Sequence, residues 1–323
     1  MESLMKINGI VNNIVWGPPI LILIVGAGLF LSVKTGFFSI TKIGYILKNT
    51  LLKMFSKEQK GEGEVTAFQA VATALAATVG TGNIAGVATA IAAGGPGAVF
   101  WMWVAAVLGM TTKFAEVVLA VNFREKTADG RFVGGPMYYI EKGLGWKWLA
   151  VLFAGFGALA AFGIGNMVQS NSVAASLQES FNINPWVTGI ILSVVTALVI
   201  VGGIKRIGAF TEKLVPFMAA IYIIGGLIII IINIAKVPAA FGLIFSTAFT
   251  GKAAVGGFAG ATIANALRFG VARGVVTNEA GLGSAPIAHA AATTDHPVRQ
   301  GLWGVFEVFA DTIVICSITA LAI

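Results

Sequence analysis

Eight apolar stretches follow one another along the chain, and most of them are close to 20 residues long. They cover residues 14–33, 66–93, 97–121, 148–177, 186–204, 213–234, 256–276 and 300–323. A helix needs about 20 predominantly apolar residues to cross the hydrocarbon core of a bilayer. The pattern therefore predicts an all-α polytopic membrane protein with about eight spans.

The second apolar stretch is interrupted near its middle. It contains "AATVGTGNIAGVATAIAAGGPG" at 76–97, in which Gly80, Gly82 and Asn83 break the apolar run. Glycine costs about 1 kcal/mol relative to alanine inside a helix, and an asparagine at that depth has no water to satisfy it. These residues indicate a helix that is unwound halfway across the membrane.

An unwound turn at this depth has the chemistry of a binding site. Its free carbonyls suit a small hard cation, and the amides at the start of the next half-helix suit a carboxylate. Thr78 and Thr81 add hydroxyl groups, and Asn83 adds an amide oxygen without a charge. The pattern predicts a site for a small zwitterion and a cation near the middle of the bilayer.

The same glycines have a simpler interpretation. Gly82 and Gly86 have the GxxxG spacing that allows close helix packing, and taken alone this is as good an explanation as a binding site. A dinucleotide-binding glycine loop is excluded because no strand precedes it.

The seventh stretch favours the binding site, because it also contains glycines and polar residues. It reads "AVGGFAGATIANALRFG" at 254–270. Two glycine-interrupted spans in corresponding halves are typical of transporters built from inverted repeats, with the substrate between the breaks. Here Phe258, Gly260 and Ile263 are the predicted contacts of the second break, Phe258 and Ile263 forming an apolar wall for a small side chain.

Three further polar residues inside apolar stretches are candidates for function. Glu116 either pairs with Lys113 or accepts hydrogen bonds from amides freed by a broken helix, and we favour this supporting role. Asp311 lies deeper in its span and is the best single candidate for a cation ligand, alone or with Asn83. Gln169 either contacts the substrate or ties two helices together.

The remaining polar patterns do not indicate an enzyme. His289 and His296 flank Asp295, with too few ligands at helical spacing for a metal site, and we expect a solvated loop there. No serine, histidine and aspartate form a nucleophile elbow. The one cysteine, Cys316, lies in an apolar run and is expected to be a small buried side chain.

The charge distribution predicts the orientation in the membrane. Apolar residues make up 57% of the chain and charged residues 11%. Of the 21 lysines and arginines, most fall in alternate connections: Lys34, Lys42, Lys48, Lys53, Lys57, Lys60, Arg124, Lys126, Arg131, Lys142, Lys147, Lys205, Arg206, Lys213, Arg268, Arg273 and Arg299. Basic connections concentrate on the cytoplasmic side, so the N-terminus is expected outside. This explains the net charge of +7 without a nucleic-acid partner.

Five stretches have a distinctive sequence: "ALAATVGTGNIAGVATAIAAGGPGAVFWMW", "GMTTKFAEVVLA", "GGPMYYIEKGLG", "AAFGIGNMVQSNSVA" and "RGVVTNEAGLGSAPIAHAAATTDHPVRQG". Through them the chain resembles the alanine or glycine:cation symporter family, secondary transporters of the LeuT-type fold. The resemblance implies uptake of alanine or glycine driven by Na⁺, or by H⁺ in some members, with no other cofactor. It also implies one extra N-terminal helix before a core of two inverted five-helix repeats.

The resemblance also implies roles for individual residues. The substrate carboxylate would lie near Gly80–Gly82, with Gln169 looking onto the substrate and Phe258 matching the second break. Asn83 and the Thr78 carbonyl would face Na⁺. Asp311 falls where LeuT-type transporters often place a cation-coordinating side chain.

The resemblance divides the chain into three parts. Residues 1–65 would hold the extra helix and a basic connection, 66–236 the first repeat, and 237–323 the start of a second repeat that is incomplete here. The prediction is a sodium-coupled importer of small neutral amino acids in a prokaryotic plasma membrane. The alternatives are proton coupling through Glu116 or Asp311, and a non-transporting membrane assembly in which the glycines only pack helices.

Overall fold

A computed structural model of the chain describes residues 2–54, 61–250 and 263–323. Within these ranges the structure is almost entirely helical, and a short antiparallel hairpin pairs β1 (Glu125–Lys126) with β2 (Phe132–Val133). The helices are α1 (Glu2–Val15), α2 (Pro18–Lys34), α3 (Phe38–Thr41), α4 (Ile43–Thr50), α5 (Ala67–Thr78), α6 (Gly82–Gly94), α7 (Gly97–Asn122), α8 (Pro136–Tyr139), α9 (Lys147–Phe181), α10 (Pro185–Ile200), α11 (Gly203–Ile232), α12 (Val237–Phe249), α13 (Ile263–Asn278), α14 (Ala285–Ala290) and α15 (Pro297–Ala322).

Within the described residues, the predicted apolar stretches coincide with helices, although not all of these helices have the length of a span. Among the described residues, α7, α9, α11 and α15 are long and apolar enough to cross a bilayer, and the bent pair of α5 and α6 makes a fifth if it is one span. Helices α2 and α10 are apolar but shorter. The structure supports a polytopic helical membrane protein, while the count of eight spans stays a prediction.

The second predicted span is interrupted where the glycines indicated. Helix α5 begins at a capping box, in which Thr66 Oγ1 accepts a hydrogen bond from the Gln69 amide and Gln69 Oε1 accepts one from the Thr66 amide. It ends at Thr78, and Val79 is extended. Helix α6 then continues at an angle of 51° to α5.

Helix α7 is the central helix of the described structure. It follows a tight turn in which Gly95 has a φ of +74°, as the sequence "GGPG" predicts. Helix α13 runs beside α7 in the same direction. The two backbones lie close together because small residues face each other. A methyl group at Gly270 would lie 2.3 Å from the Ala98 carbonyl oxygen, and Gly274 lies against Met102.

This packing corrects the position of two arginines. Gly270 lies beside Ala98, in the first turn of α7, and the opposite end of α7 leads to Arg124. Arg268 and Arg273, which were grouped with the basic connections, therefore lie toward the end opposite Arg124. After α13, the chain continues toward the Arg124 end through residues 279–290, and Ala280 lies against Gly109, deeper along α7.

The outer helices present apolar surfaces. Many large apolar side chains of α9, α10 and α11 are exposed, including Phe156, Ile190 and Ile221. By contrast, α7 and α15 bury much of their surface in the hydrophobic core. Exposed apolar faces of this extent are expected of helices that contact lipid.

Candidate ion and substrate site

The interruption between α5 and α6 faces the end of α13. A methyl group at Gly82 would lie 3.2 Å from Thr277 Oγ1, and one at Gly86 would lie 3.6 Å from the same atom. The Thr277 hydroxyl is buried and has no hydrogen-bond partner among the described residues. Gly82 and Gly86 thus allow close helix packing, and the neighbouring Gly80 lies in a break of the helix. Close packing and a helix break therefore occur together here, and the binding site stays a prediction.

Asn83 joins this interruption to α15. Its Oδ1 accepts a hydrogen bond from the Gly80 amide at 2.7 Å, and its Nδ2 donates to Asp311 Oδ1 at 2.7 Å. Nδ2 also lies 3.3 Å from Cys316 Sγ. The amide oxygen was expected to face a cation. It is engaged by Gly80 instead, because a backbone N–H freed by the broken helix and buried from water needs an acceptor.

A chain of hydrogen bonds continues from Asp311 to the end of α13. Asp311 Oδ2 accepts from the Thr312 hydroxyl at 2.8 Å, and the Thr312 oxygen accepts from Asn278 Nδ2 at 3.0 Å. Asn278 Oδ1 accepts from the Ala280 amide. All three side chains are buried. Asp311 and Thr312 are consecutive residues in the wide helical turns at Phe309–Cys316. Asp311 makes the hydrogen bond to Asn83, and Thr312 makes the one to Asn278.

Gln169, on α9, closes another side of the interruption. Its Oε1 accepts hydrogen bonds from the Thr81 hydroxyl at 2.6 Å and from the Thr81 amide at 3.3 Å. A methyl group at Gly80 would lie 3.1 Å from the same oxygen. The Gln169 oxygen therefore stands where an acceptor such as a carboxylate oxygen would meet these donors.

A second interruption lies between α13 and α14. The connecting residues Glu279, Gly281 and Gly283 have φ values of +54°, +89° and +81°, which a helix cannot contain. The Gly281 amide donates to Glu116 Oε2 at 3.1 Å. Glu116 thus accepts from a backbone amide outside any helix, and this amide belongs to the segment 279–284.

A separate cluster of buried charges lies near the Arg124 end. Lys113 Nζ is 3.2 Å from Glu307 Oε1, and His289 Nε2 is 3.2 Å from Glu307 Oε2, with all three side chains fully buried. Gln300 Nε2 lies 2.7 Å from His289 Nδ1. The tautomer with the proton on Nε2 satisfies both contacts, because that nitrogen donates to Glu307 while Nδ1 accepts.

Two expectations are corrected by this cluster. His289 was expected in a solvated loop and is instead buried in α14. Lys113 was considered as a partner of Glu116 at helical spacing, and its ion pair is with Glu307 instead. Both corrections have the same cause, since the partners lie on α15 and could not be read from local spacing.

Residues 61–66, which precede α5, pair with residues 291–294, which follow α14, at the Arg124 end. We call these two segments the latch. The Glu64 amide donates to the Ala291 carbonyl at 2.8 Å, and the Thr293 amide donates to the Val65 carbonyl at 2.7 Å. A methyl group at Gly63 would lie 2.3 Å from the Thr293 nitrogen. The start of α5 and the end of α14 are therefore held together by backbone contacts.

Arg124 reinforces the latch from the end of α7. Its guanidinium donates to the carbonyls of Ala290, Ala292 and Glu62 at 2.7 to 3.0 Å and stacks on the Phe132 ring at 4.4 Å. Burial lowers the pKa of the Arg124 guanidinium, which stays charged because arginine is protonated throughout the physiological range. The Arg124 side chain thus binds both segments of the latch.

Replacing Gly63 with alanine is expected to loosen the latch. The new methyl group would overlap the Thr293 backbone, and relief of such an overlap costs about 1–3 kcal/mol. The reactivity of Cys316, the one cysteine of the chain, toward a membrane-impermeant maleimide applied at the latch side should rise at least about fivefold. Gly44→Ala is the control, because nothing lies within 4 Å of the added methyl group. Equal rates in both variants would show that the latch does not limit access.

The structure brings most of the predicted site residues together, with one exception among those it describes. Thr78, Gly80, Thr81, Gly82, Asn83, Gln169 and Asp311 surround the first interruption. Ile263 stands at the start of α13, about 21 Å along the helix from Thr277, and its side chain is 41% exposed. The structure therefore does not bring Ile263 to Gly82. Phe258 and Gly260 lie outside the described residues.

Three residues of the site were missed in the sequence. Thr277 and Asn278 end α13, and Thr312 follows Asp311. The signal for Thr277 and Asn278 was present in "VVTNEAGLG", where polar residues and two glycines follow an apolar run. This is the same pattern as "ATVGTGN" in the first interruption.

Comparison with known proteins agrees with the geometry. The sequence model of the sodium:alanine symporter family matches residues 1–323. The sodium/alanine symporter AgcS of Methanococcus maripaludis is 54% identical over 317 residues, which cover 97% of this chain and 69% of that protein. The putative sodium/proton-dependent alanine carrier protein YrbD of Bacillus subtilis is 46% identical over 97% of this chain and 62% of its own length.

A third relative has a different named substrate. The probable sodium/glutamine symporter GlnT of Bacillus subtilis is 40% identical over 322 residues, which cover 100% of this chain and 66% of that protein. The chain thus spans about two thirds of the length of these relatives, and the relatives are named as symporters and carriers and not as enzymes. The family model over residues 1–323 and the 54% identity to AgcS decide the assignment, and the chain belongs to the sodium:alanine symporter family.

Proposed function

We propose that this protein imports small neutral amino acids, alanine and glycine, together with Na⁺. The observation that carries the proposal is the buried Asp311 carboxylate, which is hydrogen-bonded to Asn83 at the first interruption and linked through Thr312 to Asn278 at the second. A carboxylate buried between two unwound segments attracts a cation strongly, because the surroundings screen its charge poorly.

The cation would bind among the oxygens nearest Asp311. Na⁺ prefers hard oxygen ligands. The carboxylate, the Thr78 carbonyl and the Thr277 hydroxyl, which has no hydrogen-bond partner among the described residues, are candidates of that kind. Asn83 can join them if its amide turns its oxygen toward Asp311, which requires the Gly80 amide to find another acceptor. A substrate carboxylate is such an acceptor, so the cation and the amino acid would favour each other.

The substrate carboxylate would bind at the start of α6. Gly80, Thr81 and Gly82 supply the backbone and hydroxyl donors at this half-helix, where the helix dipole also favours negative charge. Gln169 Oε1 accepts from Thr81 in the present arrangement. On substrate binding, rotation of the Gln169 amide would present its N–H groups to the carboxylate. A small neutral amino acid fits this proposal because no buried charge is needed for its side chain.

The proposed architecture is a LeuT-like pair of inverted repeats, with the interruptions at 79–81 and 279–284 at their interface. Glu116 would hold the second interruption open by accepting from Gly281. The latch would lie on the cytoplasmic side of a prokaryotic plasma membrane, since basic connections concentrate there. In this orientation the latch closes the path to the cytoplasm.

Alanine binding to the purified full-length protein tests the proposal. We expect Na⁺ to raise the affinity for alanine at least about tenfold relative to choline, which is a coupling free energy of about 1.4 kcal/mol. By linkage, saturating alanine must raise the affinity for Na⁺ by the same factor. Radioligand binding at pH 6 and pH 8, with glycine and glutamine as competitors, measures both dependences.

The outcomes separate the competing functions. Binding that ignores Na⁺ and follows pH would favour the proton-coupled transporter. Competition by glutamine that exceeds competition by glycine would replace the proposed substrate class. Absence of binding to any of the three amino acids would support a non-transporting membrane protein.

A further inference from the structure

A polar cavity of about 390 Å³ opens beside the latch, away from the proposed transport site. Three side chains at one-turn spacing on α4 and the turn after it form one wall: Tyr45, Asn49 and Lys53. Arg299 and Gln300, at the start of α15, form the opposite wall. Latch residues and the aromatic rings of Phe68 and Trp303 complete the lining.

The charged groups at the rim favour an anion. Lys53 makes no ion pair with any residue that the structure describes, and Arg299 shares its charge with Asp295 at 2.9 Å. One positive charge is therefore uncompensated among the described groups of the lining. At the floor, the buried Gln300 Oε1 has no hydrogen-bond partner within the described ranges. The cavity thus combines a site for an anion with an acceptor for a hydroxyl group.

The position of α4 indicates where that anion comes from. Ile46 is fully buried and anchors α4 in the core formed by α7 and α15. Outside the cavity lining, Leu52 is an exposed apolar side chain and Lys48 is exposed beside it. A short helix with a buried face, a neighbouring exposed apolar side chain and lysines is typical of the interface between headgroups and acyl chains.

We propose that this cavity binds the headgroup of an anionic phospholipid. The phosphate would lie between Lys53 and Arg299, and a headgroup hydroxyl, as in phosphatidylglycerol, would donate to Gln300 Oε1. Basic pockets at the border of membrane helices recognise lipid headgroups in this way. Because Thr66 and Thr293 line both the cavity and the latch, the bound headgroup stabilises the closed latch.

Binding of short-chain lipids to the purified full-length protein in detergent tests this proposal. Dihexanoyl phosphatidylglycerol should bind saturably and at least about tenfold more tightly than dihexanoyl phosphatidylcholine, as measured by microscale thermophoresis. K53Q and R299Q should each weaken phosphatidylglycerol binding about fivefold, the contribution of one basic residue near an anionic headgroup. Both side chains are at the surface, so the variants are expected to fold.

K48Q is the matched control. It removes the same charge five residues earlier in the chain, but Lys48 does not line the cavity, and the affinity of this variant should stay within about twofold of the unchanged protein. Equal losses in K48Q and K53Q would show diffuse attraction and overturn the proposal. Glycerol 3-phosphate binding as tightly as the lipid would assign the cavity to a soluble phosphate ester. Equal affinity for both lipids would also overturn it.

Discussion

Replacing Asp311 with asparagine is expected to abolish sodium-stimulated alanine uptake in proteoliposomes. The substitution removes the buried negative charge while keeping the shape of the side chain. We expect the concentration of Na⁺ needed for half-maximal alanine binding to rise at least about 100-fold, which is about 2.7 kcal/mol. An attraction of this size is modest for two charges in contact away from bulk water.

The variant should fold, because most of the hydrogen bonds around Asp311 survive. Asn83 Nδ2 can still donate to a carbonyl oxygen at this position. The Thr312 hydroxyl loses its acceptor, which costs about 1–3 kcal/mol for one unsatisfied buried group. Part of this cost is offset because a buried charge is also removed. Size-exclusion chromatography and thermal unfolding in detergent check that the protein is intact.

Asp129→Asn is the control for the charge change. Asp129 lies on the exposed connection between β1 and β2, where it pairs with Arg131. This connection is not part of either interruption. Its replacement should leave both the uptake and its Na⁺ dependence unchanged. If Asp311→Asn transports alanine with an unaltered response to Na⁺, the cation binds elsewhere and the proposed role of Asp311 is wrong.

Part of this site could be predicted because its signal is local. Glycines and an asparagine inside an apolar run contradict a continuous helix, and the break between Thr78 and Gly82 lies where this contradiction occurs. Asp311 could be identified for a similar reason, since a carboxylate is too costly inside a span without a function or a partner. Local chemistry thus identified one interruption and the acidic residue that faces it.

The second break predicted at the glycines of residues 256–260 lies outside the described residues and stays a prediction. The interruption seen at 279–284 was not predicted, because glycine has two uses in membrane helices. Gly270 and Gly274 lie in a continuous helix, where they allow α7 to approach, whereas Gly281 and Gly283 have left-handed backbone conformations that end a helix. The letters alone do not distinguish close packing from unwinding. Only the contact of Thr277 with Gly82 shows which end of α13 faces the first interruption.

The buried ion pair could not be predicted, because its partners are far apart in the chain. Lys113 and Glu307 are separated by 194 residues, and the nearest candidate by helical spacing was Glu116. Burial of both groups depends on how α15 packs on α7. Pairings of this kind follow from tertiary structure and not from periodicity.

Breaking this pair is expected to cause the largest loss of stability. Lys113→Met leaves the buried Glu307 carboxylate with His289 as its remaining side-chain partner among the described residues, and an uncompensated buried charge costs about 3–5 kcal/mol. The midpoint of thermal unfolding in detergent should fall by about 10 °C. Glu307→Gln should also be destabilising, because it leaves the Lys113 ammonium without its partner.

The double variant distinguishes a charge effect from a packing effect. In Lys113→Met with Glu307→Gln no buried charge is left unpaired, and the glutamine oxygen can still accept from His289. Replacing a whole buried pair by neutral side chains of similar size is often close to neutral, so we expect most of the lost stability to return. The energies of the single variants therefore should not add.

The exposed pair of Lys142 and Glu125 provides the matched cycle. Its atoms are closer, at 2.7 Å, but its side chains are 37% and 48% exposed, so water screens the attraction. Its coupling energy should be no more than about 1 kcal/mol. If the Lys113 cycle gave a coupling as small as this one, or if the double variant were as unstable as the sum of the single variants, the charges at Lys113 and Glu307 would not depend on each other. The loss of stability would then come from packing between α7 and α15.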